Sequence, residues 1–290
     1  MEVRAKKALG QHFLVDLSVA QRIVAALGQS QVTHDVLEIG PGMGVLTRYL
    51  LQRPELNLKM VELDGESVQF LMSHFEGMAG RLHQADYLRL DIHKLFPGNY
   101  SVIGNFPYNI SSQIFFKILD DRDRIPEVVC MIQKEVAQRI AEGPGSKTYG
   151  ILSVLLQAWY DIEYLFTVEP GAFAPPPKVR SAVIRLRRNS RTSLIAPPVG
   201  LQPDRCEGKV SDPSHCKPAG EGEMPYGVAV DESLFRKVVK TAFGQRRKTL
   251  RNALRQLLPE DYDLSAPVLQ LRAEQLSVED FIALTASIMR

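Results

Sequence analysis

Asn105-Phe106-Pro107-Tyr108 places a side-chain carbonyl, a stiffened backbone and an aromatic ring within four residues. Pro107 biases Phe106 toward extended backbone, which leaves the Phe106 carbonyl available as a second acceptor. Two acceptors beside a flat ring suit a planar amino group such as adenine N6. The lone pair of that nitrogen is delocalised into the base, so it is a poor nucleophile. Hydrogen bonds from N6–H to two carbonyls favour a pyramidal nitrogen and hold it in line with an electrophile, which is catalysis by orientation and electrostatics. No general base is required beforehand, because an alkylated, cationic amine is strongly acidic. The bland alternative is a plain turn, since Asn and Pro both favour turns.

The residues upstream argue against the bland reading. Glu38-Ile-Gly40-Pro-Gly42-Met-Gly44 joins an apolar run to a helical one, where glycines let a ligand approach the backbone and a helix start offers unpaired N–H groups. Glu62, Asp86 and Asn105 each end a later β-prone run. In a doubly wound sheet the carboxyl ends of the strands share one edge, where ligands bind. Glu62 can accept both hydroxyls of a ribose there, and Asp86 an exocyclic adenine amine. A dinucleotide dehydrogenase uses a similar turn and acid, but this chain has no recognisable site for the second nucleotide half. Phe173-Ala-Pro175-Pro-Pro177 adds a second aromatic on a proline-stiffened segment, a candidate jaw for an unpaired base.

These positions require strands and helices in alternation. Runs at 35–40, 58–64, 81–86, 100–105, 127–133, 162–168 and 179–187 read as strands. Helical spacing appears at 17–27, with Asp16 as cap, and at 43–51, 65–76, 111–119, from 134 and at 148–158. Such alternation predicts an α/β fold with a parallel sheet covered on both faces. Composition shifts at Asn189, and 189–230 is rich in proline and glycine, as in a flexible insert or linker. Helical patterns return at about 231–241, 246–257 and 274–288. The division predicted is a catalytic domain over 1–188, an insert over 189–230 and a small helical domain over 231–290.

Lys and Arg total 35 against 33 Asp and Glu, a net charge of +2. That sum speaks against a strongly basic nucleic-acid binder until charge is read by position. Residues 178–191 carry six basic residues and 233–255 carry eight, neither with an acid, whereas 256–290 carry six acids against two Arg. Two acid-free runs suit phosphate contacts. Three scattered cysteines do not make a disulfide framework, and Cys206 with His215-Cys216 falls short of a closed zinc site, so no metal is expected. The absence of a signal-like segment or a long apolar run predicts a cytoplasmic protein with no membrane contact.

Seven segments in order, GQHFL (10–14), LEIGPGMGVLT (37–47), VELD (61–64), AD (85–86), GNFPYNIS (104–111), FAPPPKVRSAV (173–183) and FGQRRKTLRNAL (243–254), resemble the small-subunit rRNA adenine N6-dimethyltransferases. The resemblance spans nearly the whole chain outside 189–230. It implies a Rossmann-like, seven-strand class I methyltransferase sheet with a small C-terminal α-helical domain, using S-adenosyl-L-methionine as methyl donor. The implied reaction dimethylates N6 of two adjacent adenosines in the 3′-terminal hairpin of 16S rRNA, within the assembling small ribosomal subunit, by a monomeric enzyme. His12 and Leu14 match the segment that closes over the cofactor, Gly40 the loop at its methionine end, Glu62 its ribose ligand and Asp86 its adenine ligand. Asn105 matches the residue that borders both cofactor and target amine. Tyr108 and Phe173 match the aromatic positions around the target base. The chain departs from the commonest pattern in having His12 where many relatives have Asn, Phe106 where Leu is frequent, a bulky Tyr87 and a longer 189–230 stretch.

Two other functions compete. One is a large-subunit rRNA adenine N6-methyltransferase of the macrolide-resistance type, which the 173–183 and 243–254 segments disfavour. The other is a non-catalytic ribosome assembly factor, which the intact Asn105–Tyr108 motif disfavours.

Overall fold

The computed structural model describes residue 6 and residues 10–28, 33–196 and 227–289. Packing divides the chain into two units, Met1–Ser190 and Arg191–Arg290. Among the described residues the first unit runs β1 (Phe13–Leu14), α1 (Leu17–Ala25), β2 (Asp35–Ile39), α2 (Thr47–Leu50), β3 (Asn57–Glu62), α3 (Gly65–His74), β4 (Leu82–Gln84) and β5 (Ser101–Asn105). It continues with α4 (Ser111–Asp120), β6 (Glu127–Gln133), α5 (Lys134–Ala141), α6 (Ile151–Gln157), β7 (Tyr160–Val168), β8 (Phe173–Ala174) and β9 (Ser181–Arg188).

Seven of these strands form one sheet in the order β4-β3-β2-β5-β6-β9-β7. The central β2, β5 and β6 are near-continuous apolar runs and are buried along almost their whole length, as strands covered on both faces must be. Helix α1 begins where Asp16 accepts the Ser18 and Val19 amides at 2.9 and 3.3 Å, and it buries Ile23 and Val24. These two residues join Ile103, Val129 and Met131 in the main core. Strand β2 leads to β3 on one side, whereas β5 lies on its other side. The chain therefore reverses its winding between β2 and β5, and a crevice opens at their carboxyl ends.

The expectation of a parallel sheet holds for β2 to β6 only. Strand β9 runs antiparallel to both β6 and β7 and lies between them. Residues 169–180, which join β7 to β9, contain a single turn of 3-10 helix and the two-residue β8. They supply no crossover helix, so the chain returns as an antiparallel neighbour.

The second unit contains β10 (Ile195–Ala196), β11 (Val228–Ala229), α7 (Glu232–Gly244), α8 (Leu250–Ala253) and α9 (Val278–Ile288). Asp231 caps α7 by accepting the Leu234 amide at 2.7 Å. The helix buries Phe235, Val238, Val239 and Ala242 at helical spacing, and Phe243 meets Phe281 of α9 at 5.8 Å between ring centres. The helix expected at 246–257 shrinks to α8, because Gly244 ends α7 and a new helix starts only after Thr249. The flexible stretch expected at 189–230 is ordered at both ends, since Ile195 pairs with Ala229 and Ala196 with Val228. Residues 197–226, including Cys206, His215 and Cys216, lie outside the described residues. No helix among the described residues is long and apolar enough to cross a membrane.

Candidate active site

A cavity at the strand ends is lined by Gly40 and Gly42 after β2, Glu62 at the end of β3, Asp86 after β4, and Asn105 through Ile110 after β5. Residues 10–14 form its remaining wall. Gly40 and Gly42 have φ of +65° and +56°, which favours glycine. A Cβ on Gly42 would also press on the Phe13 ring at 3.1 Å. Glu62 Oε2 accepts the Gly42 amide at 2.9 Å and Oε1 the Asp64 amide at 2.8 Å, so both oxygens are fixed in direction. Asp86 Oδ1 accepts the Leu88 amide at 2.9 Å. Each oxygen of these carboxylates retains capacity for a further donor.

Asn105, His12 and Tyr108 meet across 93 residues of chain. Asn105 Nδ2 donates to the His12 carbonyl at 3.1 Å, which occupies an amide hydrogen and orients the side-chain oxygen as the acceptor. The Phe106 amide donates to the Met131 carbonyl at 3.0 Å, and its ring is buried edge-on against Phe115. The His12 imidazole stacks on Tyr108 at 5.5 Å and 30°, and its Nδ1 lies 3.0 Å from the Pro175 carbonyl. Leu14 pairs with Phe173 as β1 joins β8, which fastens the 10–14 wall to the proline segment. The structure thus gathers His12, Leu14, Gly40, Glu62, Asp86, Asn105 and Tyr108 around one cavity. It does not bring the Phe173 ring there: that ring is 4% exposed and belongs to the core cluster with Leu14, Val168 and Val183.

Sequence reasoning quoted Glu38 within the glycine motif but gave it no role of its own, and it did not single out Lys6. Glu38 lines the cavity, and burial pushes its carboxyl up to about 8, opposed by a 2.7 Å bond from the Thr47 hydroxyl. Burial also raises Glu62, opposed by the Asp64 and Gly42 amides. Neither carboxylate has an ion-pair partner among the described residues. Behind the lining, the Lys6 ammonium meets Asp64 at 2.5 Å and Glu66 at 3.1 Å, and its amide donates to Oε1 of the lining residue Gln11. No local pattern marks a lysine 58 residues from its acid, whereas a glutamate inside an apolar strand was a readable warning.

This donor set fits S-adenosyl-L-methionine. The Glu62 carboxylate, buried without a cation partner among the described residues, suits its positive charge, fixed carboxylate oxygens suit its ribose, and the glycine turn admits its main-chain-like end. Residues 2–194 match the ribosomal RNA adenine dimethylase family. The chain belongs to that family. A protein of Parabacteroides distasonis named ribosomal RNA small subunit methyltransferase A is 52% identical over 98% of this chain and 93% of its own length. A protein of Cytophaga hutchinsonii with the same name is 48% identical over 98% of this chain and 97% of its own. Among solved structures, a dimethyladenosine transferase from Plasmodium falciparum shares the fold with a TM-score of 0.67, at 20% identity over 94% of this chain and 96% of that one. The 23S rRNA methyltransferase ErmE does so with a TM-score of 0.59, at 21% identity over 96% of this chain and all of that one. The seven-strand sheet is thus the class I methyltransferase sheet, and this dimethylase is an enzyme that uses S-adenosyl-L-methionine on ribosomal RNA.

The basic runs of the dimethylase divide once folded. Arg185 is nearly buried and pairs with Glu163 at 2.5 Å, Arg188 pairs with Asp123 at 3.1 Å, and Arg191 pairs with Glu279 at 2.6 Å. Arg180 and Arg187 also meet Glu169 and Glu163, at 3.8 and 3.9 Å, so five of the six basic residues in the 178–191 run lie beside acids from elsewhere in the chain rather than being left wholly to a polyanion. In the second unit Arg247, Lys248, Arg251 and Arg255 are exposed at the junction of α7 and α8. Arg246 there meets Glu274 at 3.8 Å.

Proposed function

We propose that this dimethylase transfers methyl groups to N6 of two adjacent adenosines in the 3′-terminal hairpin of 16S rRNA, acting as a cytoplasmic monomer on the assembling small subunit. The observation that carries the reading is Asn105, oriented by the His12 carbonyl, beside a cavity that already holds Glu62 and Asp86. The methyl donor supplies an electrophilic methyl on a sulfonium. When it is bound, Glu62 and Asp86 would hold its ribose and adenine, Gly40 would face its methionine end, and Leu14 and His12 would form the wall over it.

The Asn105 side-chain oxygen and the Phe106 carbonyl accept the two N6 hydrogens in the first transfer, and one of them accepts the single remaining hydrogen in the second, which sharpens the nitrogen lone pair and aims it. Tyr108 offers the ring on which the base stacks. Phe173 acts from behind, since its strand pairing with Leu14 sets the position of Pro175 and through it the His12 ring. As the N6–methyl bond forms, the methyl–sulfonium bond breaks and leaves a neutral thioether, and the methylated amine then loses its proton to solvent. The α/β residues 1–188 carry this chemistry, 189–230 link, and the helical residues 231–290 contact RNA through Arg247, Lys248, Arg251 and Arg255. Naming of the near relatives for the small subunit supports that substrate over a large-subunit one.

The test offers purified, undermethylated small and large subunits separately with radiolabelled donor. Label in adjacent adenosines of small-subunit rRNA is expected. Label confined to large-subunit rRNA overturns the assignment, and no label in either favours a non-catalytic assembly role.

A further inference from the structure

Tyr108 sits in the turn at 107–110 between β5 and α4, where the Ile110 amide closes back on the Pro107 carbonyl at 3.2 Å. No strand ladder fixes such a residue, so its ring is placed by side-chain contacts. One is the His12 imidazole against its face. The other is a short hydrogen bond between the Tyr108 hydroxyl and the hydroxyl of Ser181.

Ser181 is the opposite kind of residue. It is fully buried, opens β9, and pairs with Gln133 of β6 on one side and Val168 of β7 on the other. The preceding carbonyl, of Arg180, accepts the Lys134 amide at 2.9 Å. Its backbone is therefore held from both flanks. A hydroxyl buried inside a sheet costs free energy unless it finds a partner, and Tyr108 is that partner. Burial keeps the Tyr108 phenol protonated, with its pKa raised and the Ser181 bond opposing that rise only in part.

An apolar pair would fill the same space at lower cost. Phenylalanine offers the same stacking face as tyrosine, and alanine suits a buried strand better than serine. Apolar contact leaves a ring free to slide and tilt in its own plane, whereas a directional bond at its tip removes that freedom. Ser181 does not line the cavity, so any effect on the reaction passes through the ring.

We propose that Ser181 is a positioning residue for the target base, fixing the Tyr108 ring from the rigid start of β9 so that a stacked adenine presents N6 to Asn105. The proposal rests on the functional reading above. Near-attack geometry is demanding, and a displacement of about 1 Å can cost roughly 100-fold in rate. Loss of one hydrogen bond that leaves its partner buried shifts an equilibrium by about tenfold.

The experiment is a double-mutant cycle on the full chain, with undermethylated small subunits and saturating donor. Ser181→Ala and Tyr108→Phe are each expected to lower kcat about tenfold, and the double variant to fall no further than either alone. Ser181→Thr, which retains the hydroxyl, is expected to recover kcat to within about threefold of the parent. Binding of S-adenosylhomocysteine, read by calorimetry, should stay within about twofold throughout, a result that general loss of structure does not give. The proposal is overturned by a Ser181→Ala kcat near the parent's, by losses that multiply in the double variant, or by an equal loss of S-adenosylhomocysteine affinity. Should Ser181→Ala fail to fold, Tyr108→Phe decides alone, since parent-like turnover there removes any role for the bond. If the parent itself labels no rRNA, the functional reading fails first and visibly, before any variant is compared.

Discussion

In the proposed mechanism the chemistry turns on Asn105, whose amide is fixed at one end by the His12 carbonyl. Asn105→Ala removes an acceptor made useful only as charge develops on N6, so transfer should drop by at least about 100-fold. Sedimentation with small subunits should still show binding, and near-parent turnover would sink the mechanism. Glu38 yields a second expectation. Its folded carboxyl keeps a proton to about pH 8, whereas an unfolded one releases it near 4.5. Across that window the unfolded chain binds fewer protons, so stability falls as pH rises and the favourable contribution is complete only below the window. Thermal melting of the ligand-free protein should therefore decline from about pH 5 to about pH 8, and Glu38→Gln should flatten the decline. An unchanged slope in the variant would show that Glu38 is not the group responsible.

At the scale of elements, the junction of α7 and α8 presents Arg247, Lys248 and Arg251 to solvent. Reversing all three to Glu should weaken small-subunit binding and lower its salt slope by about one for each phosphate no longer neutralised. S-adenosylhomocysteine affinity should be untouched, because none of the three lines the cavity. Equal binding at every salt concentration would exclude this junction as an RNA surface. The ladder of strand ends was readable in the sequence because each signal is local: an apolar run, then Gly40, Glu62, Asp86 or Asn105. What escaped was what local pattern does not carry. Periodicity reports a strand but not its direction, so the parallel expectation extended wrongly to β9. A run of arginines shows no acid nearby in sequence, yet Glu163 arrives from β7 and Asp123 from the turn before β6. Proline around Phe173 signalled stiffness correctly but not which way the ring would face.

For the whole molecule, the cavity couples ligand binding to stability, since its wall at 10–14 and its floor after β2 and β3 come from separate parts of the chain. S-adenosylhomocysteine at about 100 times its Kd should add about 2.7 kcal/mol, a rise in melting temperature of roughly 5–10 °C for a unit of this size. Calorimetry of the full chain checks this, and no shift at that concentration would mean that the folded chain does not bind the ligand in preference to the unfolded one. The reversed strand carries one more consequence. The parallel strands all end at the rim that holds the crevice, so a parallel sheet can furnish only strand endings there. Because β9 runs the other way, its first residue, Ser181, stands level with Gln133, the last residue of β6. Turned parallel, the same serine would sit seven residue steps away on the opposite rim, about 23 Å off. One inversion of direction thus lets a sheet built to grip a cofactor also reach, from the same rim, toward whatever that cofactor is meant to modify.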